Sequence, residues 1–353
     1  MSNNILIKTG GRSPEIDALR CLLNLLIVVH HAGFPWMWSY GSSFDNGVAS
    51  VINKVTWTLP SLFLLSGYLM FKGFRIETYK AKCWNRIKRL AVPLYLINWG
   101  ILLIVGFGVL LGHDFGQKYN WVWALKRFFC VSAGCGFTPL WYIRTLLLFL
   151  LCAPLVFFLL GFFLGRCFVV AFSLIWCVLA TFWGLDERLS MIVPSYSILT
   201  WIWGGAIAMS GVDLLDYVKE KKCLAVIIYI IGFAGTYFCP ALSKNGLLCG
   251  IQCLFWFTLA EVIVKLDRYP LFVYLMECSF FIYIMHVDMQ WNVLRHTVLY
   301  PLVLIPREVF ALPGALLLGL TICFAVDLAA CCCLYSIMKR CSPIMARILN
   351  GRL

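Results

Sequence analysis

Residues 16–31 read Ile16-Asp17-Ala18-Leu19-Arg20-Cys21-Leu22-Leu23-Asn24-Leu25-Leu26-Ile27-Val28-Val29-His30-His31. At 100° per residue, Asp17, Arg20, Asn24 and His31 fall within an arc of about 60°. His30 lies well off that line. The rest of the helix is apolar on every face, so it belongs in lipid with its stripe turned toward a bundle interior or a wet cavity. The stripe reaches His31 about 20 Å beyond Asp17 at 1.5 Å per residue. Asp17 and Arg20 also suit the headgroup level or a buried packing network. His31 is too deep for the headgroups and is the stronger functional candidate, whereas His30 reads as structural.

The whole chain agrees with this opening. Of 353 residues, 62% are hydrophobic and 13% charged, against roughly 45–50% and about 25% in ordinary globular chains. Ten stretches are long enough to cross a hydrocarbon core: 18–37, 51–71, 90–111, 140–160, 167–184, 191–211, 223–240, 246–264, 270–290 and 312–338. The expected fold is all-α, a polytopic membrane protein of ten transmembrane helices and one unit, residues 1–353. An even number puts both termini on one side. The segments on that side carry 19 Lys and Arg and the opposite segments 8, which makes the terminal side cytoplasmic. The net charge of +13 is thereby a matter of topology and does not indicate nucleic acid. The first span shows no small-residue cleavage site and reads as a retained helix.

Most of the 17 cysteines lie inside spans, where a thiol packs as a small apolar group. Cys130 and Cys135 flank an outer turn and have spacing that permits a bridge. No Cys/His spacing resembles a zinc site, so no metal is expected. Gly161-x-x-x-Gly165 permits close helix packing but leaves the oligomeric state open.

A second deep histidine follows in Ser279-Phe-Phe-Ile-Tyr283-Ile-Met-His286, where Ser279, Tyr283 and His286 share a face at i, i+4, i+7. A core role and a site opposite His31 both fit it. Arg144, just after Trp141-Tyr142, lies at a similar outer level, where snorkelling to the interface also accounts for it. Lys80, Lys82, Arg86, Lys88 and Arg89 form a basic inner loop ahead of Pro93. Positive-inside anchoring explains them, and so does a phosphate clamp, because guanidinium and ammonium groups pair with phosphate oxygens.

Several segments resemble one family. Arg20 and His31, with ten residues between them, resemble the Arg-x10-His motif that opens the acyltransferase-3 family of integral-membrane O-acyltransferases. Leu62-Phe63-Leu-Leu-Ser66-Gly67-Tyr68 resembles its Phe-rich Ser-Gly signature, and Arg86-Ile-Lys-Arg89 its Arg-x-x-Arg motif. Leu140-Trp141-Tyr142-Ile143 resembles its Leu-Trp-Phe-Leu segment, and Ser279 to His286 its late Ser-x-x-x-Tyr-x-x-His stretch. The resemblance implies transfer of an acyl group, by family habit acetyl, from cytoplasmic acyl-CoA to a hydroxyl of a cell-surface or lipid-linked glycan. It implies a multi-pass protein of the cell (inner) membrane. His31, Arg20 and Asp17 are then the catalytic candidates, with Arg86, Arg89 and Lys88 for the donor and His286, Arg144 and Tyr283 for the acceptor. A neutral imidazole suits general-base removal of a hydroxyl proton. The competing reading is a transporter or flippase that uses the polar stripe as a substrate path, although no paired Gly/Pro-broken spans support it.

Overall fold

A chain this apolar must satisfy its backbone polar groups internally, and in lipid a helix does so within one segment. The computed structural model describes residues 13–32, 43–112, 120–129, 140–182, 193–238, 253–288 and 314–352, and these contain helices and no strand. In chain order the helices are α1 (Pro14–Ala32), α2 (Ser43–Val55), α3 (Leu59–Phe71), α4 (Ile76–Leu110), α5 (Trp121–Phe128), α6 (Leu140–Gly161) and α7 (Phe163–Phe182). They continue as α8 (Ser195–Met209), α9 (Leu214–Glu220), α10 (Lys222–Phe238), α11 (Ala260–Ile263), α12 (Pro270–Asp288), α13 (Ala315–Cys341) and α14 (Pro343–Leu349). Short 3-10 turns flank α11 on both sides.

Among the described residues, six helical stretches are long and apolar enough to cross a membrane: Gly47–Phe71, Tyr79–Leu110, Leu140–Gly161, Phe163–Ala180, Pro270–Val287 and Leu317–Cys341. Helices α8 and α9, bent by 97°, add a seventh when taken as one broken span. Three further expected stretches do not meet that measure within the described residues. α1 carries Glu15, Asp17 and Arg20 in its first two turns. α10 has 17 residues, and the described part of 246–264 is divided between 3-10 and α turns. Cys130 and Cys135, with residues 113–119, 130–139 and 289–313, lie outside the described residues.

Large apolar side chains cover the outside, including Leu103, Ile104 and Phe107 of α4, Leu151, Leu155 and Phe158 of α6, and Ile230 and Ile231 of α10. In water such a coat would drive aggregation; against lipid it is the expected surface. Inside, α3 and α8 cross so closely that a Cβ at Gly67 would collide with the Trp201 carbonyl, and one at Gly204 with the Leu64 carbonyl. Small residues let helices approach where lipid gives no hydrophobic drive for association.

One connection differs from expectation. The basic inner loop expected ahead of Pro93 is helical instead: α4 runs unbroken for 35 residues from Ile76 through Pro93 to Leu110. The basic residues and the apolar span therefore form one rod about 52 Å long. Thr58, between α2 and α3, donates its hydroxyl to the Leu23 carbonyl at 2.9 Å and fixes that break against α1.

Candidate active site

Helices α1 and α12 supply the centre of the site. Asn24 Nδ2 donates to the Ser279 carbonyl at 3.4 Å, and His286 Nε2 lies 3.0 Å from His31 Nδ1. Both contacts join residues 255 apart in sequence, so α1 and α12 run parallel in one register. The two contacts are seven residues apart on each helix, two turns or about 10 Å. The polar stripe of α1 is thus matched, two turns apart, by polar groups of α12.

Hydrogen bonding assigns the ring protons. His286 Nδ1 faces the Tyr283 carbonyl at 2.8 Å and the Ile282 carbonyl at 3.3 Å. Both are acceptors, so this nitrogen carries the proton and neutral His286 offers a lone pair at Nε2. His31 Nδ1 faces that lone pair and also the Ile27 carbonyl, each at 3.0 Å, so it is a donor too. The neutral His31 ring is left with its lone pair on Nε2. This is the tautomer a general base needs, fixed by the bonds its other nitrogen makes. His30, by contrast, binds the Asn53 carbonyl at 3.0 Å and packs on Trp57, a structural setting.

Below the imidazoles runs a line of buried and half-buried hydroxyl side chains. The Tyr283 ring is 6.0 Å from that of His286 and 5.6 Å from that of Tyr142. The Tyr142 hydroxyl lies 2.9 Å from Ser66 Oγ and donates to the Leu62 carbonyl at 3.3 Å. Arg20 and Arg86 both stand within electrostatic reach of Tyr142. Arg86 Nη2 donates to the Leu69 carbonyl at 2.8 Å, and the charges of Arg20 and Arg89 both bear on it. Arg20 also meets Asp17 at 3.6 Å in a partly exposed pair. Three arginines from α1 and α4 therefore gather at one end of the line and two histidines at the other.

Two expected members stand on other faces of their helices. Lys88 lies 5.3 Å above the Trp84 ring on an exposed face of α4, away from Arg86. Arg144 is half-buried on α6, about 200° round the helix from Tyr142, and it is Tyr142 whose ring meets Tyr283. Sequence reading quoted Ser66 and Tyr142 only as motif letters. Their signal was a polar group on an otherwise apolar helix, the same one that marked His31. Glu261 pairs with Lys219 at 2.6 Å, and Glu277 with Lys339 at 2.8 Å.

Outside the site, Asp213 joins two elements. Its carboxylate accepts from Lys72 at 2.9 Å and the Tyr68 hydroxyl at 3.0 Å, and it caps α9 through the Leu215 amide at 2.9 Å. Burial alone would raise this carboxyl, but those three hydrogen bonds together hold it below its ordinary value. Hydrogen bonds to Asp213 and Tyr68 raise Lys72 above its own. Among the described residues no group of His, Cys, Asp or Glu side chains is arranged to hold a metal ion.

Comparison with known proteins found no match among curated proteins or solved structures. A family profile described as an acyltransferase domain matches residues 13–331, a stretch that contains the histidine pair, the hydroxyl line and all three arginines. With nearly its whole length so matched, the chain belongs to the acyltransferase-3 family of membrane proteins.

Proposed function

We propose that the protein is a membrane O-acyltransferase that moves an acyl group, by preference acetyl, from cytoplasmic acyl-CoA to a hydroxyl of a cell-surface or lipid-linked glycan. The observation that carries this reading is the His31–His286 contact at 3.0 Å, joined by Tyr283, Tyr142 and Ser66 to the arginines. In this reading Arg86 and Arg89, with Arg20, hold the CoA phosphates, since guanidinium forks suit phosphate oxygens. Arg20 and His31 are eleven residues apart on α1, about 16 Å, a distance for an extended pantetheine arm to cover. The thioester then lies beside His31. His31 Nε2 takes the proton from the acceptor hydroxyl as its oxygen attacks the thioester carbonyl. The tetrahedral adduct collapses, the C–S bond breaks, and the imidazolium returns the proton to the CoA thiolate. His286 holds the His31 ring from behind, Tyr283 lines the acceptor side, and Asp17 orients Arg20.

The same reading takes residues 1–353 as one domain with ten spans and both termini in the cytoplasm, in the cell's inner membrane. Its support is the 19-to-8 split of basic residues. The test compares lipid-linked and surface glycans, by mass, from cells with wild-type protein, His31→Ala or no protein. Loss of one acyl increment in the last two identifies reaction and acceptor together. An increment retained with His31→Ala removes the histidine from the chemistry. Identical glycans in all three favour a carrier of another solute.

A further inference from the structure

We infer that Asn350, beyond the matched acyltransferase region, is a positioning residue that holds the histidine helix in place from the C-terminal end of the chain. After α14 the chain turns as Asn350-Gly351-Arg352 against the side of α12. Asn350 is buried, and its amide bridges one rung of that helix. Its Oδ1 accepts from the Phe281 amide at 3.2 Å, and its Nδ2 donates to the Glu277 carbonyl. These are the N–H and C=O that face each other at i+4 and i in any α-helix. A primary amide has one donor and one acceptor side by side, so it can serve both at once.

Neighbouring groups also meet Glu277, Arg352 at the rung itself and Lys339 through a partly exposed ion pair to one side of it. Arg352 Nη2 also donates to the Glu277 carbonyl, at 3.2 Å, and Lys339 and Tyr335 bind the Glu277 carboxylate at 2.8 and 3.3 Å. Gly351 has φ +66°, a left-handed conformation that suits glycine. A Cβ there would press at 3.2 Å on both the Arg89 carbonyl and the Phe280 ring. The hook thus wedges between α4, which carries Arg86 and Arg89, and α12, which carries Tyr283 and His286. Ser279, whose carbonyl receives Asn24, lies inside the clamped rung, and His286 follows within two turns. A shift of that rung moves both contacts that hold α12 in register with α1.

The consequence for catalysis rests on the proposed role of the histidine pair; the clamp itself does not. The full-length protein in nanodiscs is compared as wild type, Asn350→Ala, Asn350→Asp and Lys339→Ala. The aspartate variant keeps size and the acceptor for Phe281 but sets an oxygen against the Glu277 carbonyl, so it removes the donor contact without opening a cavity. Hydrogen–deuterium exchange is read over residues 277–288 and over α3 and α8. kcat and KM are measured with labelled acetyl-CoA and extracted lipid-linked saccharides. Both Asn350 variants are expected to exchange at least about tenfold faster at 277–288 alone, the scale of losing a buried hydrogen bond or two. kcat should fall about tenfold or more with KM for acetyl-CoA nearly unchanged, while Lys339→Ala stays near wild type.

Unchanged exchange at 277–288 overturns the clamp. Faster exchange with unchanged kcat, an effect confined to KM, or exchange rising equally in α3 and α8 overturns the positioning role. Wild-type activity in His31→Ala sinks the histidine chemistry instead, and leaves the exchange result standing.

Discussion

His286 Nε2 accepts from His31 Nδ1 at 3.0 Å, across two parallel helices whose residues are 255 positions apart. Because His286 Nδ1 is committed to the carbonyls of Ile282 and Tyr283, the contact has one direction, and it turns the basic nitrogen of His31 outward from the pair.

Replacing His31 by alanine is therefore expected to lower acyl transfer by about 10²–10⁴-fold, the usual worth of a general base. His286→Ala, which removes only the acceptor behind His31, should cost less, with kcat falling and KM for the donor near wild type. His30→Ala should leave appreciable activity. Initial rates with labelled acetyl-CoA check all three; equal rates for wild type and His31→Ala would show that the imidazole is a packing residue.

Charge reversal at Arg86 and Arg89 should raise KM for acyl-CoA by roughly tenfold or more, since each charge-assisted phosphate contact is among the stronger hydrogen bonds. Lys88→Glu is the informative control. Its ammonium lies over Trp84, so donor affinity should barely move. Titration of CoA against the purified variants reads this directly, and equal losses at all three positions would mean a diffuse electrostatic effect.

Tyr142→Phe removes the hydroxyl that meets Ser66 Oγ at 2.9 Å and the Leu62 carbonyl at 3.3 Å. Each such bond contributes about 0.5–1.5 kcal/mol net, so thermal unfolding in detergent should show a loss of that order.

At the α3–α8 crossing, Gly67→Ala and Gly204→Ala each force a methyl into a backbone carbonyl. Overpacking of this kind typically costs about 1–3 kcal/mol. The double variant should lose less than the sum, because the first substitution already parts the helices. A Tm unchanged in both single variants would contradict the observed proximity.

The Asp213–Lys72 pair gives a pH signature of stability. The Asp213 value is lowered, so its contribution is complete above the ordinary carboxylate range and is lost as pH falls through that lowered value. The Lys72 value is raised, so its share holds below the ordinary lysine value and is lost only as pH climbs past the raised one. Between those limits Tm should be flat with respect to this pair. Both side chains are partly exposed, so Lys72→Ala should cost no more than about 1 kcal/mol. Melting curves of wild type and Lys72→Ala across acid and neutral pH should converge at the acid end.

Membrane residence, the helical class and the inward face of α1 were legible because lipid imposes simple rules: long apolar runs become helices, and ionisable groups turn away from the tails. The i, i+4, i+7 set on α12 followed from periodicity alone. The unbroken course of α4 through Pro93 was not legible, because proline usually signals a helix boundary. The broken path near α11 was hidden too, since apolar composition reads the same for α and 3-10 turns.

What the amino-acid order determined by itself was which side chains of α1 and of α12 share a face, a local matter of 3.6 residues per turn. Which faces meet, and in what register, belonged to the tertiary structure alone. Both depend on contacts with a helix 255 residues away, and the place of Asn350 depends on the turn after α14 packing on α12. Spacing within one helix carries no information about partners supplied by another, so chemistry that depends on such partners emerges only when the bundle closes.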